Sequence, residues 1–491
     1  MSDLEFLFHP QSIAIVGTPS NPTDVQGAGV FLDALISFGY KGDIYPVNPK
    51  VSEIRGWKTY PNLMSLPKSP DYVICCLPAS LTPQLMKDCA ARGVKAISLY
   101  TAGFSEESDE GRKLEQELVS IARQGGVRLI GPNCMGIYCP STGLSYNPGL
   151  SKEAGRVGFL CQSGGNSLTL AFMADFRRIR FSKVVSYGNA ADLNEADFLE
   201  YLTQDAETEI IAAYVEGVKE GRRFTKILPQ TAKTKPVIIL KGGRTEAGAG
   251  AAASHTGALR SSKEIWDAFC QQVGILQAYS LEEMLDIIET FLYLKPPKGR
   301  RVGILGWGGG ASVTSADDCE SAGLGVPVFS SGLRQQLRRF IFGAGSSATN
   351  PIDSLILTNP SLLSQTIRMI SNSKEIDVLL VYMPLAERRS LYGPEMRKVT
   401  IETILEAGKS IDIPIAIAQP HGDTPESSGL FFELQKKCLE AGFPLYSTTR
   451  RAAQAISKFI EYHVWKTAHM GRQSKKGKPS SLTRFSCLRL G

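Results

Sequence analysis

Three times along the chain, short apolar runs rich in β-branched residues alternate with longer stretches of helical periodicity. Such runs fit strands buried on both faces of a parallel sheet, with helices as the covering layers. The first set places strands at 12–16, 42–47, 72–77, 96–99 and 128–130, with a helix over 81–92 between two of them. That spacing predicts a Rossmann-like sheet. A second set falls at 156–160, 183–186, 210–215 and 237–240. The third follows Lys295-Pro296-Pro297-Lys298-Gly299, which reads as a linker, with strands at 301–305, 378–382 and 413–418. The second and third sets share a rhythm of strand, glycine-rich turn and helix, which predicts two flavodoxin-like domains. The expected divisions are 1–148, 149–295 and 299–465, followed by a basic, disordered tail over 466–491.

Length agrees with this division, since 491 residues exceed one core and match about three domains of roughly 150 residues each. A hydrophobic content of 43% with 21% charged residues is that of an ordinary globular protein. No run approaches the ~18 apolar residues of a membrane span. The N-terminus lacks a cationic segment followed by an apolar one, so secretion is not expected. Ten scattered cysteines without a CxxC pair argue against a disulfide framework or zinc site and suit a reducing cytoplasm. The net charge of +6 is concentrated at one end: after Tyr462 there are seven cations and no acid. The body is therefore near neutral, which gives no reason to expect a nucleic-acid surface.

Candidate chemistry sits at the ends of the strands. Gly17 begins a turn that runs through Gly27 and Gly29 into a helix, the kind of strand-to-helix turn that brings backbone amides to a phosphate. A dinucleotide site would show an acid at the end of the second strand. Here that strand runs into Val47-Asn48-Pro49-Lys50, and a cation there favours a nucleotide with an extra phosphate, such as coenzyme A. Gln162-Ser163-Gly164-Gly165 likewise follows a strand and opens a helix, whose dipole suits a phosphoryl group. Glu216 ends another strand, where it either supports an imidazole or pairs with Arg222 or Arg223. His255, one of five histidines, lies in a glycine- and alanine-rich stretch after the strand 237–240. That stretch reads as a loop too small-featured to pack a core. A lone histidine is most often structural, but this setting favours a nucleophile that carries a phosphoryl group.

In this combination the chain resembles the α subunit of nucleoside-diphosphate-forming acyl-CoA synthetases (ADP-forming acetate–CoA ligases), relatives of succinyl-CoA synthetase. The resemblance rests on eight pieces in order. They are 13–17, 47–50, Gly131-Pro132-Asn133-Cys134-Met135-Gly136, Gln162-Ser163-Gly164-Gly165, Ser186-Tyr187-Gly188-Asn189-Ala190-Ala191-Asp192, 214–224, 252–259 and Asn350-Pro351-Ile352-Asp353. It implies a CoA-binding Rossmann-like domain followed by two succinyl-CoA-synthetase-like flavodoxin domains. His255 matches the phosphorylated histidine and Glu216 the carboxylate that supports it. Gln162, Ser163, Gly164 and Gly165 match the phosphate cradle, and Gly17, Lys50, Pro78, Thr101 and Asn133 fall in the CoA-binding segments. No metal ligands are implied in this chain.

The resemblance also implies what lies elsewhere. Fused members carry an ATP-grasp domain for ADP or ATP and Mg²⁺, and this chain has no room for one. A separate ATP-grasp β subunit in a heterotetramer is therefore expected, with a small carboxylic acid as substrate and no nucleic-acid or membrane partner. The acyl pocket is expected near Asn133 and Gly165, where the first two domains meet. Two departures from the family pattern are Gln26, where a lysine is common, and Trp307 in the third domain's glycine turn. The competing readings are an NAD(P)-binding oxidoreductase, which calls for an acid where Lys50 stands, and a non-catalytic CoA-sensing protein, which would tolerate loss of His255.

Overall fold

The computed structural model describes residues 4–18, 27–256, 262–341, 345–383, 393–422 and 424–470. Across the first sheet the strands run Asp43–Val47, Ser12–Val16, Tyr72–Cys75, Ala96–Leu99 and Arg128–Ile130, all parallel. The order reverses between Ser12–Val16 and Tyr72–Cys75. In a doubly wound sheet that switch point opens a crevice beyond the carboxyl ends of the strands. Nearly every side chain of these strands is buried, as their continuous apolar runs require.

The second sheet runs Leu276–Ala278, Val237–Lys241, Ile210–Val215, Val157–Cys161, Phe181–Ser186 and Gly136–Tyr138. Its last strand is antiparallel and lies within the segment assigned from sequence to the first domain. The turn 131–135 explains this early crossing, because it leaves the first sheet and turns straight into the edge of the second. The third sheet runs Ile352–Asp353, Val302–Gly306, Val378–Tyr382, Ile415–Ala418 and Leu445–Tyr446, again all parallel.

The first two layers are held in register at two turns. Asn189 N and Ala191 N donate to Pro132 O and Gly131 O at 3.0 and 2.9 Å, and Met135 N donates to Ser186 Oγ at 3.1 Å. Gly188 makes this approach possible. Its φ is +52°, and a β-carbon there would lie 2.2 Å from Pro132 O and 2.3 Å from Asn133 O. Any other residue is strained and in collision with backbone.

The second and third layers meet through charged groups. Asp286 on the helix Leu281–Tyr293 accepts from Arg177 at 2.6 Å and from Arg451 at 2.6 and 2.8 Å. One turn on, the fully buried Glu289 accepts from Leu445 N at 2.9 Å. Burial pushes its carboxyl up to about 8 against the opposing pull of Arg177. The final helix, Thr449–Met470, then crosses back onto the second layer, where Trp465 Nε1 donates to Gln272 O at 3.2 Å. This helix continues past 465, where the basic tail was expected to start, because the Trp465 and Lys466 contacts extend its packing; Lys466 Nζ reaches Thr234 O at 3.3 Å. Residues 471–491 lie outside the described residues, as does Gln26.

The glycine–alanine stretch before His255 differs from expectation. It is not a loop: Glu246–Thr256 is a helix, with His255 in its last turn. Five alanines among these eleven residues supply the strongest helix propensity of any side chain, which outweighs Gly248 and Gly250. The side chains of 253–256 lie outside the described residues. Among the described residues all nine cysteines are free, and no group of side chains forms a metal centre. No described helix is long and apolar enough to cross a membrane.

Candidate active site between the first and second domains

Two adjoining cavities, which share Leu77, line the crevice at the first sheet's switch point. The outer one, of about 590 Å³, is bounded by Gly17, Thr18, Asn48, Pro49 and Lys50, with Leu63, Leu81 and Leu85 as apolar walls. Gly17 closes this corner with φ +94°, and a β-carbon there would press on Cys76 O at 3.1 Å. Asn48 fastens the opposite side, its Nδ2 donating to Thr18 O at 2.7 Å while its Oδ1 accepts from Lys50 N at 2.7 Å. Asn48 and Lys50 thus stand where a nicotinamide enzyme would place an acid.

The inner cavity, also about 590 Å³, brings Pro78, Thr101 and Asn133 of the first domain together with Gln162, Ser163, Gly164 and Gly165 of the second. Seven residues singled out from sequence thus face one space. The turn carrying Asn133, at φ +56°, is pinned by its own N–H donating to Thr101 O at 2.9 Å. On the other side Ser163 caps the helix Gly164–Phe176 by accepting from Asn166 N at 3.3 Å, which sets the first turn against the cavity. A helix start in this position favours an anion. Two thiols also line the cavity, and burial disfavours their thiolate forms, pushing Cys134 up to about 12 and Cys76 upward as well.

Glu216 lies directly behind this cradle. The side-chain oxygen of Gln162 accepts from Glu216 N at 2.7 Å and Gly217 N at 3.1 Å. Tyr214 Oη donates to Glu216 Oε1 at 3.1 Å, and the tyrosine is held protonated by burial and by that carboxylate. Arg223, one of the two arginines considered as its partner, instead pairs with Asp197, Glu200 and Glu220.

Lys241 was not picked out from sequence. It ends the strand Val237–Lys241 and is buried, with Nζ donating to Glu216 O at 2.6 Å and Gly242 O at 2.5 Å. Burial lowers its pKa against the favourable field of Glu216. The ammonium joins the turn that carries Glu216 to the turn that leads into the helix of His255. An ionisable residue closing an otherwise apolar strand was the available signal, and the strand pattern masked it.

Comparison with known proteins agrees with this geometry. Residues 11–140 match a CoA binding domain and residues 154–291 a succinyl-CoA ligase like flavodoxin domain. The chain is 33% identical over 478 residues to acetate–CoA ligase [ADP-forming] I subunit alpha of Pyrococcus furiosus, covering 95% of this chain and 99% of that one. It is 36% identical over 396 residues to acetate–CoA ligase [ADP-forming] I of Archaeoglobus fulgidus, 80% of this chain, and spans only 56% of that longer protein. Its fold superposes on acetyl-coenzyme A synthetase 1 of Ca. Korarchaeum cryptofilum, solved with phosphate and ADP. The TM-score there is 0.82 at 31% identity, over 96% of this chain and 99% of the other. The two domain matches and the near full-length identity place the chain in the family of ADP-forming acetate–CoA ligase α subunits.

Proposed function

We propose that the chain is the acyl- and phosphoryl-transferring subunit of a reversible acid–CoA ligase. Acyl-CoA, ADP and phosphate are converted to carboxylate, CoA and ATP. The observation that carries this reading is the inner cavity, where the first domain's turns and the second domain's helix start face each other. Coenzyme A fits the outer cavity by chemistry: leucine walls suit a purine, and the Lys50 amine at the rim suits a ribose phosphate. Its thiol end then reaches Pro78, Thr101 and Asn133.

In the first step a phosphate oxygen, held at Ser163–Gly165, attacks the thioester carbonyl. The C–S bond breaks, and CoA leaves as a thiol after taking a proton. In the second, an imidazole nitrogen of His255 attacks the phosphorus of the acyl phosphate. The bond to the acyl oxygen breaks and releases the carboxylate. Glu216 accepts a hydrogen bond from the other imidazole nitrogen and stabilises the cationic ring. In the third, the phosphoryl group passes to the terminal oxygen of ADP on a separate ATP-grasp β subunit, which supplies Mg²⁺, within a heterotetramer. Each step is a short displacement for which positioning and electrostatics suffice.

The test is incubation of the α–β complex with labelled ATP and Mg²⁺. Wild type acquires an acid-labile, base-stable label and His255→Ala none. Label persisting on His255→Ala overturns the assignment of the carrier.

A further inference from the structure

The inner cavity has one side wall with no assigned role. Met135 follows Asn133 and Cys134 in the turn that joins the first two sheets, and its backbone is fixed by the bond from its N–H to Ser186 Oγ. Its side chain lies across the start of the helix Gly164–Phe176. A β-carbon placed on Gly164 would come within 3.1 Å of Met135 Cγ and 3.6 Å of its Sδ. The thioether thus lies against Gly164 at the helix start, in the same space as Pro78, Thr101 and Asn133 on one side and Ser163 and Gly165 on the other.

In the proposed reaction an acyl group must occupy that interval, since its carbonyl is bonded first to the CoA sulfur and then to the phosphate. Cys76, Leu77, Cys134 and Met135, all of low polarity, line this space together with Tyr100. The described lining residues include no lysine, arginine or histidine, so a chain without a second charge is favoured there. Met135 is the bulky flexible member of the set, and its backbone cannot retreat because Ser186 on one side and the Gly188 contact behind the turn hold it. We propose that Met135 sets the upper size of the acyl group that the inner cavity accepts. This rests on the ligase reading given above.

The physical scale supports a measurable gate. One methylene of mismatch in an apolar pocket changes selectivity by about 10- to 200-fold. Methionine is unbranched and adaptable, so its wall yields gradually rather than at a sharp cut-off. The test measures kcat/KM of the α–β complex for acetyl-, propionyl-, isobutyryl- and phenylacetyl-CoA in wild type, Met135→Ala and Met135→Phe. Ratios between substrates are read, so a partly unfolded preparation does not alter the answer.

Met135→Ala is expected to raise phenylacetyl-CoA and isobutyryl-CoA relative to acetyl-CoA by at least about tenfold. Met135→Phe is expected to lower propionyl-CoA relative to acetyl-CoA by a similar factor. Ratios within about twofold of wild type in both variants overturn the role of Met135 while leaving the ligase reading intact. Absence of wild-type turnover with every acyl-CoA overturns the ligase reading and the size gate together.

Discussion

The second and third domains share strand, glycine turn and helix, yet they treat the helix start in opposite ways. In the second, Ser163 caps the helix with its hydroxyl, and Gly164 and Gly165 border the inner cavity. In the third, Gly308 opens the helix Gly309–Ser321 without a side-chain cap of its own. Its N–H donates at 2.7 Å to Asp353, which comes from the neighbouring strand and is buried. One helix dipole faces a cavity, and the other is already answered by a carboxylate of the protein. An incoming phosphate therefore meets an attractive field in the second domain and a like charge in the third. Equivalent topology does not make equivalent sites; one acidic side chain decides which turn remains open.

The sharpest way to break this contrast is to give the second domain the third domain's acid. At Gly165 the nearest atom to an added β-carbon is Ser163 Oγ at 3.9 Å, so the backbone there accepts a β-carbon without collision. Gly165→Asp is expected to reduce phosphohistidine formation by about 10²–10³-fold through repulsion in a partly dry site. Because an acid in a first helical turn is favourable, its melting temperature should not fall. The neutral Gly165→Asn should retain most of the rate. Labelling within about threefold of wild type in the aspartate variant removes the electrostatic basis of the contrast.

A second test concerns the junction that joins the two domains. Glu289 is protonated in the folded protein up to about pH 8 and titrates near 4.5 when unfolded. The folded state therefore binds the extra proton between these values, so this group's stabilising contribution is greatest below 4.5 and is lost as pH rises towards 8. Glu289→Gln keeps an acceptor for Leu445 N and removes the titration. It should raise stability above pH 8 by on the order of 2–4 kcal/mol and have little effect near pH 5. Denaturant unfolding at the two pH values checks it, and parallel behaviour of variant and wild type sinks the idea.

The smallest effect belongs to Asp353→Asn. The bond to Gly308 N persists without its charge assistance, for a loss of about 1 kcal/mol of stability by thermal unfolding. Phosphorylation should stay within about threefold of wild type. A larger loss of phosphorylation than of stability would give the third domain's turn a part in the chemistry.

Much of this arrangement was legible in the amino-acid sequence, because strands covered on both faces leave unbroken apolar runs such as Ile210–Val215 and Val378–Tyr382. The glycine turns at Gly17 and Gly164 were legible for a related reason, since they interrupt that pattern where the chain must turn into a helix. Most strands of two or three residues were not, Arg128–Ile130 excepted. Gly136–Tyr138, Ile352–Asp353 and Leu445–Tyr446 carry too few positions to show a period, and pairing alone defines them. The helix before His255 was concealed by its glycines. Lys241 left only the trace of a charge closing an apolar strand, and Met135 none, because what sets each apart is what it touches across the fold.

The clamp at Lys241 gives the helix that leads to His255 a fixed base. From Glu246 to His255 are nine peptide steps, about 14 Å as the observed helix and about 30 Å if drawn straight. Eleven residues with two glycines would make a helix of only marginal stability in isolation, so its packing on the domain decides whether it stays coiled. In the proposed reaction, where His255 carries the phosphoryl group, unwinding this helix would roughly double its reach without moving a domain.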